Sequence, residues 1–158
     1  MRAMLVLRAM TQDELEARLP VLHEEYADDE LRAGRDRPET VRSNVAALFR
    51  QLLPDGVATP GHLLFSGVDD GGAVVGWIWL ALPGVKRPQA WVYEVQVDPP
   101  FRRRGFGRAL VLAAEDELRS RGVSELGLNV FGHNAGARSL YESLGFSVKS
   151  ITMSKDLA

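Results

Sequence analysis

No cysteine occurs in these 158 residues, which excludes disulfides, thiolate metal sites and a cysteine nucleophile and leaves the redox compartment unreadable from thiol usage. Neither sign of charge dominates: 19 Lys and Arg stand against 21 Asp and Glu, a formal net charge of −2. Such a chain has no global basic field to draw it to nucleic acid or to a membrane surface. Long apolar runs are missing too, and no stretch reaches the length of a membrane span. The opening Met1 to Met10 is short and interrupted by arginine, which fits a strand rather than a signal peptide. His23, His62 and His133 are scattered without metal-ligand spacing, so no metal site is expected. There is no internal repeat and no low-complexity segment. What remains, 46% hydrophobic and 25% charged, is the composition of a soluble globular protein, and the expectation is one cytoplasmic domain over residues 1–158.

Met4 to Arg8 reads as a short strand. Thr11 and Glu14 have capping-box spacing, and Leu15, Leu19, Leu22 and Tyr26 follow at helical intervals, with a kink or break expected at Pro20 and an end at Ala33-Gly34. A second helix is expected from Pro38 to Leu53, stopped by Pro54-Asp55-Gly56. His62 to Val68, Ala73 to Leu82 and Ala90 to Val97 are rich in strand formers and separated by turn residues, which predicts an antiparallel meander. Helix Gly105 to Arg121, strand Glu125 to Phe131, helix Asn134 to Leu144 and strand Phe146 to Lys155 complete the order, with Gly122 and Gly145 placed as helix terminators. The expected fold class is α/β: a mixed sheet, antiparallel at first and then β-α-β-α-β, with helices on both faces.

The informative stretch runs from Val95 to Leu110. Pro99 and Pro100 end a strand, and Arg102, Arg103, Arg104, Gly105, Phe106, Gly107 and Arg108 lead into a helix whose apolar stripe is Phe106, Leu110, Ala114 and Leu118. A first helical turn has backbone N–H groups without intrahelical partners, and glycines let an anion approach them. Arginine supplies forked donors for phosphate oxygens. This is a pyrophosphate cradle in outline. A dinucleotide fingerprint needs a third glycine where Leu110 stands, and a P-loop needs lysine with Ser or Thr where Arg108-Ala109 stand. The spacing of Val97, Pro99, Arg102, Gly105 and Gly107 instead resembles the cofactor motif of the GNAT superfamily of N-acetyltransferases. A second stretch resembles that superfamily's other motif: Asn134 and Ala137, then Leu140-Tyr141 and Gly145-Phe146. Asn134 is a good N-cap, and Tyr141, two helical turns on, projects to nearly the same side.

The resemblance implies acetyl-CoA as co-substrate and transfer of its acyl group to a primary amine of a small molecule or protein, by direct attack in a ternary complex. It assigns cofactor contacts to Val95, Gln96, Val97, the turn from Arg102 to Arg108, Asn134, Ala137 and Tyr141. It makes the Tyr141 hydroxyl the proton donor to the departing thiolate, and a backbone N–H near Val95 to Val97 the oxyanion donor. Glu94 is the nearest carboxylate and the candidate base; strand alternation puts it on the face of Gln96, opposite Tyr93, Val95 and Val97. It fits a solvated strand glutamate as well. Some relatives carry a carboxylate on the fifth strand, where this chain has Asn129. Tyr26, Asp28, Asp29 and Glu30 form an acidic group suited to a cationic amine or simply to a solvated helix end. A non-catalytic acyl-CoA-binding module is the alternative. The Arg102 to Arg104 triplet lacks the wider basic surface that nucleic acid needs. Strand edges leave room for a homodimer.

Overall fold

The computed structural model describes residues 3–85 and 87–158; Met1, Arg2 and Lys86 lie outside the described residues. The first strand, β1 (Leu5–Ala9), passes directly into α1 (Gln12–Arg32) through the capping box. The Thr11 hydroxyl accepts from the Glu14 N–H at 3.1 Å, and a Glu14 carboxylate oxygen accepts from the Thr11 N–H at 3.0 Å. The same carboxylate receives Arg8 of β1 and the Ser66 hydroxyl, so one side chain ties strand, helix and sheet. Helix α1 does not break at Pro20. That residue is exposed, and so is Glu16, whose carbonyl one turn earlier loses its helical donor to the proline.

After α2 (Val41–Leu52) come β2 (His62–Asp69), β3 (Val74–Ala81) and β4 (Ala90–Val97), then α3 (Phe106–Ser120), β5 (Leu126–Leu128) and α4 (Ala135–Ser143). The sheet order is β1-β2-β3-β4-β5; all neighbours are antiparallel except β4 and β5. Central β3 is buried on both sides, as its unbroken apolar sequence requires. Trp77 and Trp79 pack with Leu15, Leu22, Val45 and Phe49 beneath α1 and α2. Ile78 and Leu80 face the other way onto Leu110, Ala114 and Leu118 of α3. Each large side chain buried this way contributes roughly 1.5–3 kcal/mol. Helices thus cover both faces of a mixed sheet, as expected.

Two departures matter for the site. In β4, Glu94 pairs with Trp79 and Val92 with Leu80, which leaves Tyr93 without a partner in β3. This β-bulge breaks the alternation: Tyr93 joins Trp79 on the α1–α2 side, stacked at 4.7 Å, together with Gln96, while Val92, Val95 and Val97 lie toward α3. Tyr93 is therefore on the side of Gln96, not opposite it. At the far end of the chain, the expected strand Glu125 to Phe131 is paired only over Leu126–Leu128, and the expected strand Phe146 to Lys155 joins no ladder among the described residues.

Close packing of β3 against β4 rests on Gly76, where an added Cβ would sit 2.1 Å from the Gln96 carbonyl oxygen, a backbone atom with no freedom to yield. Gly76→Ala is expected to destabilise the protein by about 1–3 kcal/mol, read as a lower urea midpoint at unchanged m-value.

Candidate active site

Pairing between β4 and β5 stops at Val92 and Leu128, one residue before the bulge. Beyond it the strands diverge, and the gap is a cavity of about 690 Å3 with Val92 to Val95 on one wall and Leu128 to Phe131 on the other. A second cavity, about 320 Å3, adjoins it along Tyr26, Asp29, Glu94, Val95 and Asn134 and reaches Gln96, Val97 and Arg102.

At the outer end of this cleft lies the turn from Arg102 to Gly107. Arg103 has φ +61° and Gly105, the residue capping α3, has φ +83°. A left-handed arginine is strained by about 1 kcal/mol or more, and such strain gathers at ligand sites. The amide N–H groups of Gly105, Phe106, Gly107 and Arg108 make no hydrogen bond among the described residues, and they converge at the positive end of the helix. The Arg102 side chain turns inward, its Nε donating to the Val97 carbonyl at 3.0 Å, and lines the smaller cavity. Arg103 and Arg104 are exposed and line neither cavity. The Phe106 ring is in the core, so only its backbone faces the turn. Arg108 donates to the Ser143 hydroxyl at 3.2 Å and thereby bridges α3 to α4.

On the opposite wall, Asn134 caps α4, its side-chain oxygen accepting from the Ala137 N–H at 3.2 Å. Asn134, Ala137 and Tyr141 all line the larger cavity, as the helical spacing predicts. Burial pushes the Tyr141 hydroxyl above the usual phenol range, and the negative charge of Glu94 adds to the shift. Glu94 itself is pushed up to about 8, first by burial and then by the charges of Glu25 and Asp29, against the pull of the Val95 N–H. Glu25 is held there by Gln96, whose amide donates to both carboxylate oxygens at 3.1 and 3.2 Å while its own oxygen accepts from Trp77 Nε1 at 3.1 Å. The Gln96 side chain is thus spent on positioning a carboxylate, and only its backbone remains open to a ligand. Asp29 is in turn held by His133 at 2.8 Å. No cluster suited to a metal ion occurs among the described residues.

The arrangement has known counterparts. The model of the Acetyltransferase (GNAT) family matches residues 15–146. The chain belongs to the GNAT acetyltransferases. It is 34% identical over 154 residues to the uncharacterized N-acetyltransferase YycN of Bacillus subtilis, covering 97% of this chain and 99% of that one. The crystal structure of YycN superimposes with a TM-score of 0.91 at 33% identity, over 98% of this chain and 99% of its own. A shorter match, 45% identical over 71 residues, joins 45% of this chain to 48% of the [ribosomal protein bS18]-alanine N-acetyltransferase of Escherichia coli. The PaiA N-acetyltransferase of Thermoplasma acidophilum, crystallised with coenzyme A, shares the fold, with a TM-score of 0.69 at 22% identity over 94% of this chain and 92% of that one.

Within this GNAT cleft, sequence reasoning singled out Glu94, Asn134, Tyr141 and the arginine turn, and it missed Glu25. The signal was available: Glu25 stands four residues before Asp29, on the same side of one helix turn. Arg35, Arg87 and Trp91 were not placed in the site from sequence, because loop and strand positions remote in sequence meet at the larger cavity only in three dimensions. Asn129 lies just past β5 and lines that cavity without offering a base. Asp28 and Glu30 line neither cavity, and Glu30 is engaged by Arg35.

Glu94 holds its proton more tightly when folded, near 8, than when unfolded, near 4.5. Folding therefore takes up a proton between these values, and stability falls as pH rises through that window. Glu94→Gln is expected to raise Tm at pH 9 by at least about 3 °C, the shift of roughly 1 kcal/mol at this size. The difference should shrink toward zero at pH 5, as read by thermal unfolding of both proteins across the range.

Proposed function

We propose that the protein transfers an acetyl group from acetyl-CoA to a primary amine, with Glu94 and Tyr141 as the base and the acid. The observation that carries this reading is their shared cavity between β4 and β5, where each titrates away from its ordinary value. Acetyl-CoA, when bound, supplies an activated thioester; every other requirement falls to this chain. The four free N–H groups at the start of α3 and the Arg102 guanidinium fit the pyrophosphate. The unpaired inner edge of β4 beyond Val92 offers Val95 to Val97 backbone to the pantetheine arm and to the reacting carbonyl. Asn134 and Ala137 fit the opposite side of that arm.

A protonated alkylamine is no nucleophile, so its proton must go to a base before attack. Glu94 is suited to this because a carboxylate with pKa about 8 accepts a proton from an amine far better than an ordinary glutamate does. Glu25 and Asp29 line the approach and favour a cationic acceptor. The Tyr141 hydroxyl, kept protonated by burial and by the neighbouring carboxylate, is suited to hand its proton to the leaving sulfur. The acceptor belongs to a small molecule or to a protein amine; the [ribosomal protein bS18]-alanine N-acetyltransferase, similar over 71 residues, supports including peptide N-termini among the candidates.

Release of free CoA from acetyl-CoA, assayed across amino acids, polyamines, aminoglycosides and peptide N-termini, should depend on the amine. Binding of acetyl-CoA with no CoA release would point to a non-catalytic acyl-CoA-binding module, whereas release independent of every amine would be thioester hydrolysis and would overturn transfer to an amine. Tyr141→Phe is expected to lower kcat by roughly 100-fold or more with the KM for acetyl-CoA nearly unchanged; unaltered turnover would remove Tyr141 from the proton-donor role. The wild-type kcat/KM should rise with pH toward about 8 and flatten there, and Glu94→Gln should abolish that inflection.

A further inference from the structure

The larger cavity of the cleft does not end at Glu94. It runs back along β4 to Trp91, and there the charge of its lining changes sign. The Arg87 guanidinium lies over the Trp91 indole, its carbon 3.6 Å from the ring centroid. A stacked guanidinium keeps its edge free, and the N–H groups that fork onto a carboxylate lie along that edge. The Arg87 side chain makes no hydrogen bond and no ion pair among the described residues. The other arginine in the cavity, Arg35, is already spent on a two-point pair with Glu30, at 2.6 and 3.2 Å. Glu94 and Asp29 belong to the end shared with the smaller cavity, which Arg87 does not line. Glu115 and Glu125 border Arg87 in a neighbouring cavity beside β5, and neither pairs with it.

The position of this free cation is built into the backbone. Pro88 confines the residue before it to extended conformations. The Arg87 carbonyl accepts from the Gly84 N–H at 2.8 Å, which closes the turn leading into β4. Trp91 is fixed as well, because its ring lies against β5 at Gly127, where an added Cβ would stand 2.7 Å from it. Gly127 thus makes room for the indole, and the indole carries the guanidinium. Trp91 and Glu94 are three residues apart on one strand, a separation of about 10 Å. Leu48, Phe49, Leu52 and Leu128 give the same cavity an apolar wall, and its volume of about 690 Å3 suits a small molecule.

We propose that the acceptor is a small amphoteric molecule, its amine beside Glu94 and a carboxylate about 10 Å away on Arg87, joined by an apolar spacer. The proposal deepens the reading of the cleft as an amine acetyltransferase and rests on it. The amine nitrogen forms the new amide bond while the thioester C–S bond breaks. The ammonium gives up two protons, one leaving through Glu94 and one ending on the sulfur through Tyr141. The carboxylate takes no part in the chemistry and sets the register of the amine. A polyamine would satisfy the acidic end but set a second cation against Arg87, so the site selects against it.

A charge series at fixed length tests this: a straight-chain ω-amino acid of about 10 Å span, its primary amide, and the diamine of equal length. The kcat/KM read from CoA release should favour the acid over the amide by roughly 10-fold, the worth of one charge-assisted contact at a partly exposed arginine, and over the diamine by more. Arg87→Gln should bring acid and amide close to equal, Arg87→Lys should restore part of the preference, and Arg87→Glu should put the diamine first. An Arg87 with a merely structural role would depress all of these acceptors together and leave their ratios as they were, which would overturn the proposal. Equal turnover of acid and amide by the wild type would overturn it too, while leaving the transferase reading in place. Calorimetric binding of acid and amide to the protein loaded with CoA separates the reverse case. Tighter binding of the acid, lost in Arg87→Gln, without any CoA release from acetyl-CoA would support the carboxylate site and remove the transferase reading.

Discussion

Everything distinctive about this molecule follows from one backbone irregularity in β4. An extra residue at Tyr93 bends the strand just after Val92, and β5 pairs only up to that point. A regular parallel pair would zip shut and leave no room for a ligand. The bulge instead opens the strands into a cleft and exposes the inner backbone of β4. It also brings Tyr93 onto the same side as Gln96. The bend is braced from behind by the fully buried Trp79, which stacks on Tyr93 and donates to His62 at 2.9 Å. Arg18 of α1 forms a bidentate ion pair with Asp98 at the end of β4, which fixes where the strand leaves the sheet.

The chemistry of the cleft depends on what the bulge brings near Glu94. A lone glutamate in a strand would titrate normally. Here burial and a second carboxylate act in the same direction, and the second carboxylate is itself fixed by the Trp77–Gln96–Glu25 chain. Core packing and active-site electrostatics are thus one structure: the buried tryptophan that anchors the sheet also sets the position of a charge. At the other end, strain at Arg103 and the open N–H groups of α3 leave a site complementary to an anion. The cleft therefore has a cationic end and an anionic end, matching a ligand pair of opposite charge.

Most of the fold was legible in the sequence. Helix caps at Thr11 and Asn134, glycine stops at Gly122 and Gly145, and the unbroken apolar run of β3 are local signals, and each lies where it was expected. Expectations failed where a local rule met a distant partner. Pro20 breaks a helix only if its orphaned carbonyl is not solvated, and solvent exposure is decided by the rest of the molecule. Strict alternation through Glu94 failed because a bulge is a property of two strands in register and has no signature in one. The tail from Phe146 to Lys155 has strand chemistry but joins no ladder among the described residues.

Local physics is written in the order of residues, so the sequence alone determined which segments are helical, which turn presents its backbone N–H groups at a helix start, and which asparagine and tyrosine share a helix side. These, the last two as expectations of a site, depend on interactions within a few residues. The three-dimensional arrangement decided that Glu25 would stand beside Glu94, that Gln96 would be spent on holding it, and that β4 and β5 would part at Val92. Those outcomes depend on contacts between residues as far apart as Glu25 and Gln96, whose energies come into being only when the sheet and the first helix close on one another.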